Sequence, residues 1–238
     1  MKLTGIIPAR YNSSRFPGKS IALLNGVPVV VHVYRQAAMF SKWHHLVVAT
    51  DDVKVVSVCE DYNVPVLMTS SEHKDCIDRA AEVSGRIESD RYIIIQGDEP
   101  FFDASILEVD LSPDVVGFYT HIDEDLDNPH LVKVVLDFQE RALYFSRTKI
   151  PFGFKQTQRS STEHPVCKQI GLYSFSGAML RVFVGLGTSP LEDVEGVGLL
   201  RLLENGYTVH MRYADYVGME IDTPEDLAKA EELCQRNS

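Results

Sequence analysis

The sequence has little cysteine, and the cysteines it has are scattered. Four cysteines occur among 238 residues, at Cys59, Cys76, Cys167 and Cys234, and no two of them form a CxxC pair. Zinc sites and disulfide frameworks usually show closely and regularly spaced ligands. The spacing therefore argues against both, and it favours the reduced thiols of a cytosolic protein.

Long hydrophobic runs are also absent. The apolar part of the first ten residues, MKLTGIIPAR, is too short for a signal peptide, and no later segment is long enough to span a membrane. We therefore expect a cytoplasmic protein that has no membrane partner.

Positive charge is scarce as well. The chain has 23 lysines and arginines against 34 acidic residues, which gives a formal net charge of −11. Proteins that bind nucleic acids broadly carry a basic footprint, so we expect no nucleic-acid partner. A small anionic substrate is still compatible with this composition, because a few cations can dominate the electrostatic field inside a cleft.

The first half of the sequence alternates between strand and helix patterns. The predicted strands are Leu3–Pro8, Leu46–Thr50, Val64–Thr69 and Arg91–Gln96, and the predicted helices are Pro28–Phe40, Asp52–Tyr62 and Ile77–Ile87. This order predicts an α/β fold with a mostly parallel sheet and helices on both faces. A chain of this length and composition is compatible with one domain over residues 1–238.

The second half is less regular. Strands are predicted at Asp114–Thr120, Leu131–Asp137, Arg141–Phe145 and Val166–Phe175, with irregular sequence between Thr148 and Pro165. We expect these strands to form a partly antiparallel subregion, at about 114–175, inserted into the same sheet. Two later helices are predicted to begin at Pro190 and Pro224, because each proline follows a Ser or Thr cap.

Three cations lie in the loop that follows the first predicted strand. This loop, within IIPARYNSSRFPGKSI, contains Arg10, Arg15 and Lys19. It is not a P-loop, since Ser13 occupies the position of the first glycine of that motif. The loop can be a set of solvated surface charges. Its place between a strand and a helix instead favours binding of a triphosphate by charged side chains.

Acidic residues occur at two further positions of interest. Asp98 lies in QGDEP, directly after the strand with three isoleucines, and Asp222 lies in EIDTPEDL, before the last predicted helix. A carboxylate at the end of a parallel strand can hold Mg²⁺ while substrate phosphates provide other ligands. Asp222 can be a second ligand of this metal or a simple turn residue.

Eight motifs, taken in order, resemble the 3-deoxy-manno-octulosonate (Kdo) cytidylyltransferases, the CMP-Kdo synthetase family. They are IPARYNSSRFPGKS, ATDD, QGDEP, KVVLD, ALYFSRTKIP, KQIGLYSF, SPLEDVE and IDTPEDL. The resemblance implies a Rossmann-like nucleotidyltransferase fold and a homodimer. It also implies a Mg²⁺-dependent transfer of CMP from CTP to Kdo, with release of pyrophosphate, for lipopolysaccharide or capsule biosynthesis.

The same resemblance implies roles for individual residues. It assigns catalytic roles to Lys19, Asp98 and Asp222, and it makes the two aspartates the metal ligands. The residues that it assigns to CTP are Pro8, Ala9, Arg10, Arg15, Lys19 and Arg79. The residues that it assigns to the sugar acid are Gln96, Glu99, Arg147, Gln169, Tyr173 and Glu192.

The sequence departs from the family pattern near the base and the sugar. Asp75-Cys76-Ile77 replaces a Ser-Gly-Thr segment, Gln169 replaces a histidine, and Gly198-Leu199 replaces a Glu-Gln pair. The phosphate and metal positions are unchanged. Two alternatives therefore stay open: an enzyme that activates a modified octulosonate or another 2-keto-3-deoxy acid, and a non-catalytic nucleotide-binding relative.

Overall fold

The computed structural model describes residues 1–13, 15–153, 165–216 and 218–236. Its contacts divide the chain into two compact units. The first unit contains residues 1–108 together with the described segment that follows Tyr216, and the second contains residues 109–216. Our expectation that the whole chain behaves as one domain stays a prediction. The segment 154–164, where we expected irregular structure, lies outside the described residues.

The first unit contains four parallel strands, which are β1 (Leu3–Pro8), β4 (His45–Thr50), β5 (Val66–Met68) and β6 (Arg91–Ile95). They lie in the order β6-β1-β4-β5. A two-stranded antiparallel sheet adds β2 (Leu23–Leu24) and β3 (Val27–Pro28). Every residue of β1 and β6 is buried. This burial explains their continuous apolar sequence, since a central parallel strand is covered on both faces.

The helices of the first unit begin where the sequence places polar caps or proline. They are α1 (Val29–Ala37), α2 (Val53–Asp61), α3 (Cys76–Ser84) and α7 (Pro224–Arg236). Asp52 accepts a hydrogen bond from the Lys54 amide at 2.8 Å, and Asp75 accepts one from the Ile77 amide at 2.6 Å. These side chains satisfy amides that have no partner within the first turn of a helix.

The C-terminal segment packs against the beginning of the first unit. Ile221 and Ala230 form a buried cluster with Leu24 and Val29, and both residues of this C-terminal pair are fully buried. This packing fixes the residues just before α7 next to the short β2–β3 sheet. Asp222 is therefore held in the first unit, although most of the sequence separates it from β1.

The second unit is built on a long strand with antiparallel neighbours. Its strands are β7 (Val115–Ile122), β8 (Lys133–Leu136), β9 (Ala142–Ser146), β10 (Val166–Ser176) and β11 (His210–Tyr213), and its helices are α4 (Gly177–Leu186), α5 (Pro190–Glu195) and α6 (Leu199–Glu204). β10 is antiparallel to β7 and β8, β8 is antiparallel to β9, and β11 is parallel to β7. The predicted α/β class with a mixed sheet is therefore confirmed. Among the described residues, no helix has the length and apolarity needed to cross a membrane.

Candidate active site

A cleft of about 500 Å³ lies at the ends of β1 and β6, where their carboxyl edges meet. Strand ends of this kind are the usual ligand sites of parallel sheets. The residues that line the cleft are Pro8, Ala9, Arg10, Asn12, Ser13, Lys19, Ser20, Lys74, Asp75, Cys76, Gln96, Gly97 and Asp98. The cleft therefore brings together residues from the loop after β1, the start of α3 and the end of β6.

The two predicted metal ligands meet at one lysine. The Lys19 ammonium group forms ion pairs with Asp98 and with Asp222, the second at an Nζ–Oδ1 distance of 2.9 Å. Arg15 Nη1 lies 2.9 Å from the other oxygen of Asp222. The backbone supports this arrangement, because the Ile221 amide donates to the Asp98 carbonyl oxygen at 2.9 Å. The structure thus brings the two acidic motifs together at one lysine.

The electrostatics of Lys19 follow from these contacts. Burial by itself lowers the pKa of Lys19, but the Asp98 and Asp222 carboxylates together outweigh it and raise the pKa above the usual lysine value. Lys19 is therefore positively charged at neutral pH, and its charge compensates two carboxylates at once.

The donor set near Lys19 fits a hard cation such as Mg²⁺. Two carboxylates converge on one point, and magnesium in substrate-phosphate sites is held by one or two carboxylates, phosphate oxygens and water. Within the described residues, no group of three or more His, Cys, Asp or Glu side chains is arranged to hold a metal. A magnesium ion here would therefore depend on substrate phosphates for part of its coordination.

Gly97 allows β6 to pass close to β1. A Cβ atom at this position would lie 2.4 Å from the Pro8 carbonyl oxygen, which is far inside normal contact. Since Pro8 ends β1 and Asp98 follows Gly97, the glycine determines how closely Asp98 approaches the loop after β1. Pro8 thus contributes to the site through its backbone as well as by lining the cleft.

The start of α3 forms another part of the cleft wall. Gln96 Nε2 donates to Cys76 Sγ at 3.3 Å, which links the end of β6 to the first residue of α3. The pKa of the Cys76 thiol is raised well above its usual value, and burial of the thiol is the main cause. Cys76 is therefore a neutral thiol at physiological pH, and it shapes the cleft without acting as a nucleophile.

Arg79, which the resemblance assigns to CTP, is paired with residues of neighbouring elements. Its side chain is fully buried, and its guanidinium group donates to Asp51 Oδ2 at 2.8 Å and to the Thr69 hydroxyl oxygen. Arg79 does not line the cleft. Its contacts instead connect α3 to the ends of β4 and β5, so the residue stabilises the elements around the cleft.

Glu99, another residue that the resemblance assigns to the sugar acid, follows Asp98 and is 3% exposed. It lies outside the cleft lining.

The remaining residues that the resemblance assigns to the sugar acid lie in the second unit. Arg147 donates from its guanidinium group to the carbonyl oxygens of Pro129, Glu195 and Gly196. Its backbone amide donates to a Glu195 carboxylate oxygen at 2.8 Å. These bonds fix Arg147 against the end of α5, where Gly196 has a φ of 62°.

Gln169 and Tyr173 contact each other directly on β10. Gln169 Nε2 donates to the Tyr173 hydroxyl oxygen at 2.6 Å, and both residues are buried. Within the described part of the chain, the other amide atom of Gln169, Oε1, has no hydrogen-bond partner. A buried acceptor of this kind is costly unless a ligand or water supplies a donor.

Glu192 is engaged in a buried ion pair that the sequence did not indicate. Its two carboxylate oxygens accept from Arg201 Nη2 at 2.6 Å and from Arg201 Nε at 2.7 Å. The Arg201 guanidinium carbon also lies 3.9 Å from the centre of the Phe183 ring. Glu192 and Arg201 belong to different helices and follow no simple spacing, so no sequence pattern could have identified this pair.

Comparisons with known proteins identify the family of this chain. A cytidylyltransferase family model matches residues 4–212. The 8-amino-3,8-dideoxy-manno-octulosonate cytidylyltransferase of Shewanella pealeana is 36% identical over 240 residues, which cover 95% of this chain and 96% of the relative. The enzyme of the same name from Shewanella baltica is also 36% identical, and the match covers 98% of each chain.

Solved structures show the same relationship. The structure of a CMP:2-keto-3-deoxy-manno-octonic acid synthetase complexed with CTP matches all of both chains, with a TM-score of 0.89 and 31% identity. The inositol-1-phosphate CTP transferase from T. maritima has a TM-score of 0.72 at 16% identity, over 98% of this chain and 95% of its own. The second likeness concerns the fold alone. On the family match and the identity to these relatives, the chain belongs to the cytidylyltransferase family.

Proposed function

We propose that this CTP-dependent nucleotidyltransferase transfers CMP from CTP to the anomeric hydroxyl group of 3-deoxy-manno-octulosonate (Kdo), with release of pyrophosphate. The observation that carries the proposal is the convergence of Asp98 and Asp222 on Lys19 beside the cleft. Two carboxylates and a lysine at this edge of a parallel sheet suit transfer of a nucleotidyl group from a triphosphate.

The proposed reaction is a single displacement at the α-phosphorus of CTP. The anomeric oxygen of the acceptor forms a bond to this phosphorus and releases its proton to water. The bond between this phosphorus and the oxygen that bridges to the β-phosphate breaks, and pyrophosphate leaves with the electron pair. Arg10, Arg15 and Lys19 bind the phosphate groups and neutralise the charge that develops on the leaving group. The reaction needs no covalent intermediate on the protein.

Asp98 and Asp222 are the residues that would hold the magnesium ion. When bound, the ion would polarise the phosphate oxygens and help to align the reacting groups. In the structure these carboxylates contact Lys19 and Arg15. We propose that Lys19 and Arg15 move from the carboxylates to the phosphate groups when the nucleotide binds. Phosphate oxygens are negatively charged acceptors, like carboxylate oxygens, and so they compete for the same N–H donors.

The acceptor has a second candidate, which is the 8-amino derivative of Kdo. Support for Kdo comes from the motifs and from the structural match over the entire chain. Support for the amino sugar comes from the Shewanella relatives, whose names specify it and which match nearly the whole length. The departures at Gln169 and at Gly198-Leu199 are consistent with an acceptor other than unmodified Kdo.

A release assay distinguishes these candidates. The purified protein is incubated with CTP, Mg²⁺ and either Kdo or 8-amino-3,8-dideoxy-manno-octulosonate, and pyrophosphate is measured, with UTP in place of CTP as the base control. The proposal expects the higher kcat/KM with Kdo, and it expects Asp98→Asn to abolish release with either acid. A preference for the amino sugar would establish the second candidate. CTP binding without turnover for either acid would instead support a non-catalytic role.

We further propose that the protein is a homodimer, as the family resemblance implies. We also propose, from the sequence, that it is cytoplasmic and unfolds as one domain. Size-exclusion chromatography with light scattering measures the mass of the protein in solution. The mass of a monomer would contradict the dimer. Calorimetry tests the single domain, because two independent units would give two separate transitions.

A further inference from the structure

The cations around the cleft differ in whether a carboxylate compensates them. Lys19 is paired with Asp98 and Asp222, and Arg15 is paired with Asp222. Arg10 lines the cleft, and within the described residues its guanidinium group makes no ion pair. Of the three cations that the sequence singled out, Arg10 therefore has the charge that is most available to a ligand.

Lys74 is a further cation of the cleft that sequence reasoning did not single out. It lines the same cleft as Arg10, and its side chain is exposed and makes no ion pair with the part of the chain that is described. The adjacent carboxylate, that of Asp75, accepts the Ile77 amide at the start of α3 at 2.6 Å. The positive charge of Lys74 is thus available to an anion that binds in the cleft.

Two interactions hold the backbone segment that carries Lys74 in place. The Asp75 cap determines the conformation of the turn that leads into α3. The hydrogen bond from Gln96 to Cys76 Sγ, at 3.3 Å, joins this turn to the end of β6. A lysine on an anchored segment loses less conformational entropy when it binds a ligand than a lysine on a free loop, because only its own side chain must become ordered.

We infer that Lys74 binds the phosphate groups of the nucleotide, together with Arg10 on the loop after β1. The inference rests on the proposed function, which identifies the anion in this cleft as the triphosphate of CTP. Cytidine itself carries no negative charge, and the acceptor carries a single carboxylate. The triphosphate has the greatest density of negative charge among these groups, so it gains most from a cation without a competing carboxylate.

The test separates phosphate binding from base binding. Wild-type protein and Lys74→Gln are titrated at equilibrium, without acceptor, with inorganic tripolyphosphate and with cytidine as separate probes. We expect the Kd for tripolyphosphate to rise about tenfold in Lys74→Gln, and the Kd for cytidine to change less than about twofold. Lys74→Arg, which keeps the charge, should restore the tripolyphosphate Kd to within about threefold of wild type.

Lys42→Gln is the matched control, since it removes the same charge from the same unit at a residue outside the cleft lining. Its tripolyphosphate affinity should equal that of the wild type. Equal affinity of wild type and Lys74→Gln would overturn the inference, and so would undetectable binding of tripolyphosphate to the wild type or a loss confined to cytidine. If Lys74→Gln loses tripolyphosphate binding while the wild type releases no pyrophosphate with either acid, the inference stands and the proposed function fails.

Discussion

Lys19 and Asp222 lie 203 positions apart in the sequence, yet the Lys19 Nζ atom is 2.9 Å from Asp222 Oδ1. The same ammonium group contacts Asp98. One lysine therefore compensates the charge of two carboxylates that come from distant parts of the chain. Substitutions at these residues have effects that can be predicted from this arrangement.

Lys19→Met removes the positive charge between Asp98 and Asp222. We expect kcat/KM for CTP to fall roughly 10²–10³-fold, which is the loss typical of removing one group that stabilises charge in a transition state. Steady-state release of pyrophosphate measures this loss. Lys42→Met, which removes a lysine outside the cleft lining, should keep the wild-type value.

The same variant tests the proposed metal site. Without the lysine, Asp98 and Asp222 repel each other, and a divalent cation can take over the compensation. We therefore expect Mg²⁺ to raise the thermal unfolding midpoint of Lys19→Met by a few degrees more than that of the wild type. An equal response of the two proteins to Mg²⁺ would contradict a metal site at these carboxylates.

The Glu192–Arg201 ion pair should stabilise the folded protein. Glu192→Leu leaves a buried guanidinium group without its bidentate partner, so we expect the free energy of unfolding to fall by about 3–5 kcal/mol. The double variant Glu192→Leu/Arg201→Met should recover most of this loss in urea denaturation. If Glu192→Gln instead keeps its stability and raises KM for the acceptor acid, then Glu192 binds the sugar as the resemblance implies.

Arg79 is expected to act through Asp51 and Thr69. Arg79→Met should lower the free energy of unfolding by about 3–5 kcal/mol, because it leaves polar groups in a buried cluster without partners. A double-mutant cycle with Asp51→Asn should give a coupling energy of about 0.5–3 kcal/mol. A coupling near zero, together with a large rise in KM for CTP, would favour the direct nucleotide contact that the resemblance implies.

Gly97→Ala should damage both stability and activity. The new Cβ atom would meet the Pro8 carbonyl oxygen, so we expect a loss of about 1–3 kcal/mol and a displaced Asp98 with reduced kcat. Gly185→Ala is the matched control. This glycine lies within α4, where a new Cβ atom would have open space around it, and the substitution should be neutral or stabilising by up to about 1 kcal/mol. Equal effects of the two substitutions would contradict the close approach of β6 to β1.

Tyr119 gives a prediction for alkaline pH. Burial, followed by the Glu140 carboxylate, raises the pKa of Tyr119 to about 12 from an ordinary value of 10.0. Because the folded state favours the neutral phenol, this contribution to stability is present below pH 10 and is lost as the pH rises through 12. The difference in unfolding free energy between wild type and Tyr119→Phe should therefore decrease over this range.

Absorbance of the phenolate in the folded protein provides the measurement. The late ionisation should disappear in Tyr119→Phe and persist in Tyr213→Phe, which changes a more exposed tyrosine of the same aromatic cluster. Persistence of the late ionisation in Tyr119→Phe would show that another residue causes it.

The sequence predicted the first unit well because its signals are local. Caps such as Asp52 and continuous apolar runs such as that of β6 determine where helices begin and which strands are buried. The second unit was predicted less completely, since α4, α6 and β11 were missed. α4 is apolar on most of its surface and contains two glycines, while α6 and β11 have only six and four residues. Such short or uniformly apolar segments carry little periodicity.

The candidate site also has a part that the sequence predicted and a part that it did not. Asp98 could be placed near the cationic loop because the ends of parallel strands meet at one edge of a sheet. Asp222 does not end a strand of the parallel sheet, and only the family resemblance implied its place beside Asp98. The burial of Arg79 and the pairing of Glu192 could not be predicted, because their partners Asp51 and Arg201 belong to other elements. Ion pairs of this kind depend on tertiary packing, which has no fixed sequence spacing.

The order of the two units along the chain has a consequence for protein synthesis. Lys19 and Asp98 are translated before residues 109–216, and Asp222 is translated after them. A nascent chain on the ribosome thus carries the lysine and one carboxylate well before the second carboxylate exists. A polypeptide released prematurely after Tyr216 would lack Asp222, one of the two proposed magnesium ligands, so we expect it to have no nucleotidyl transfer activity.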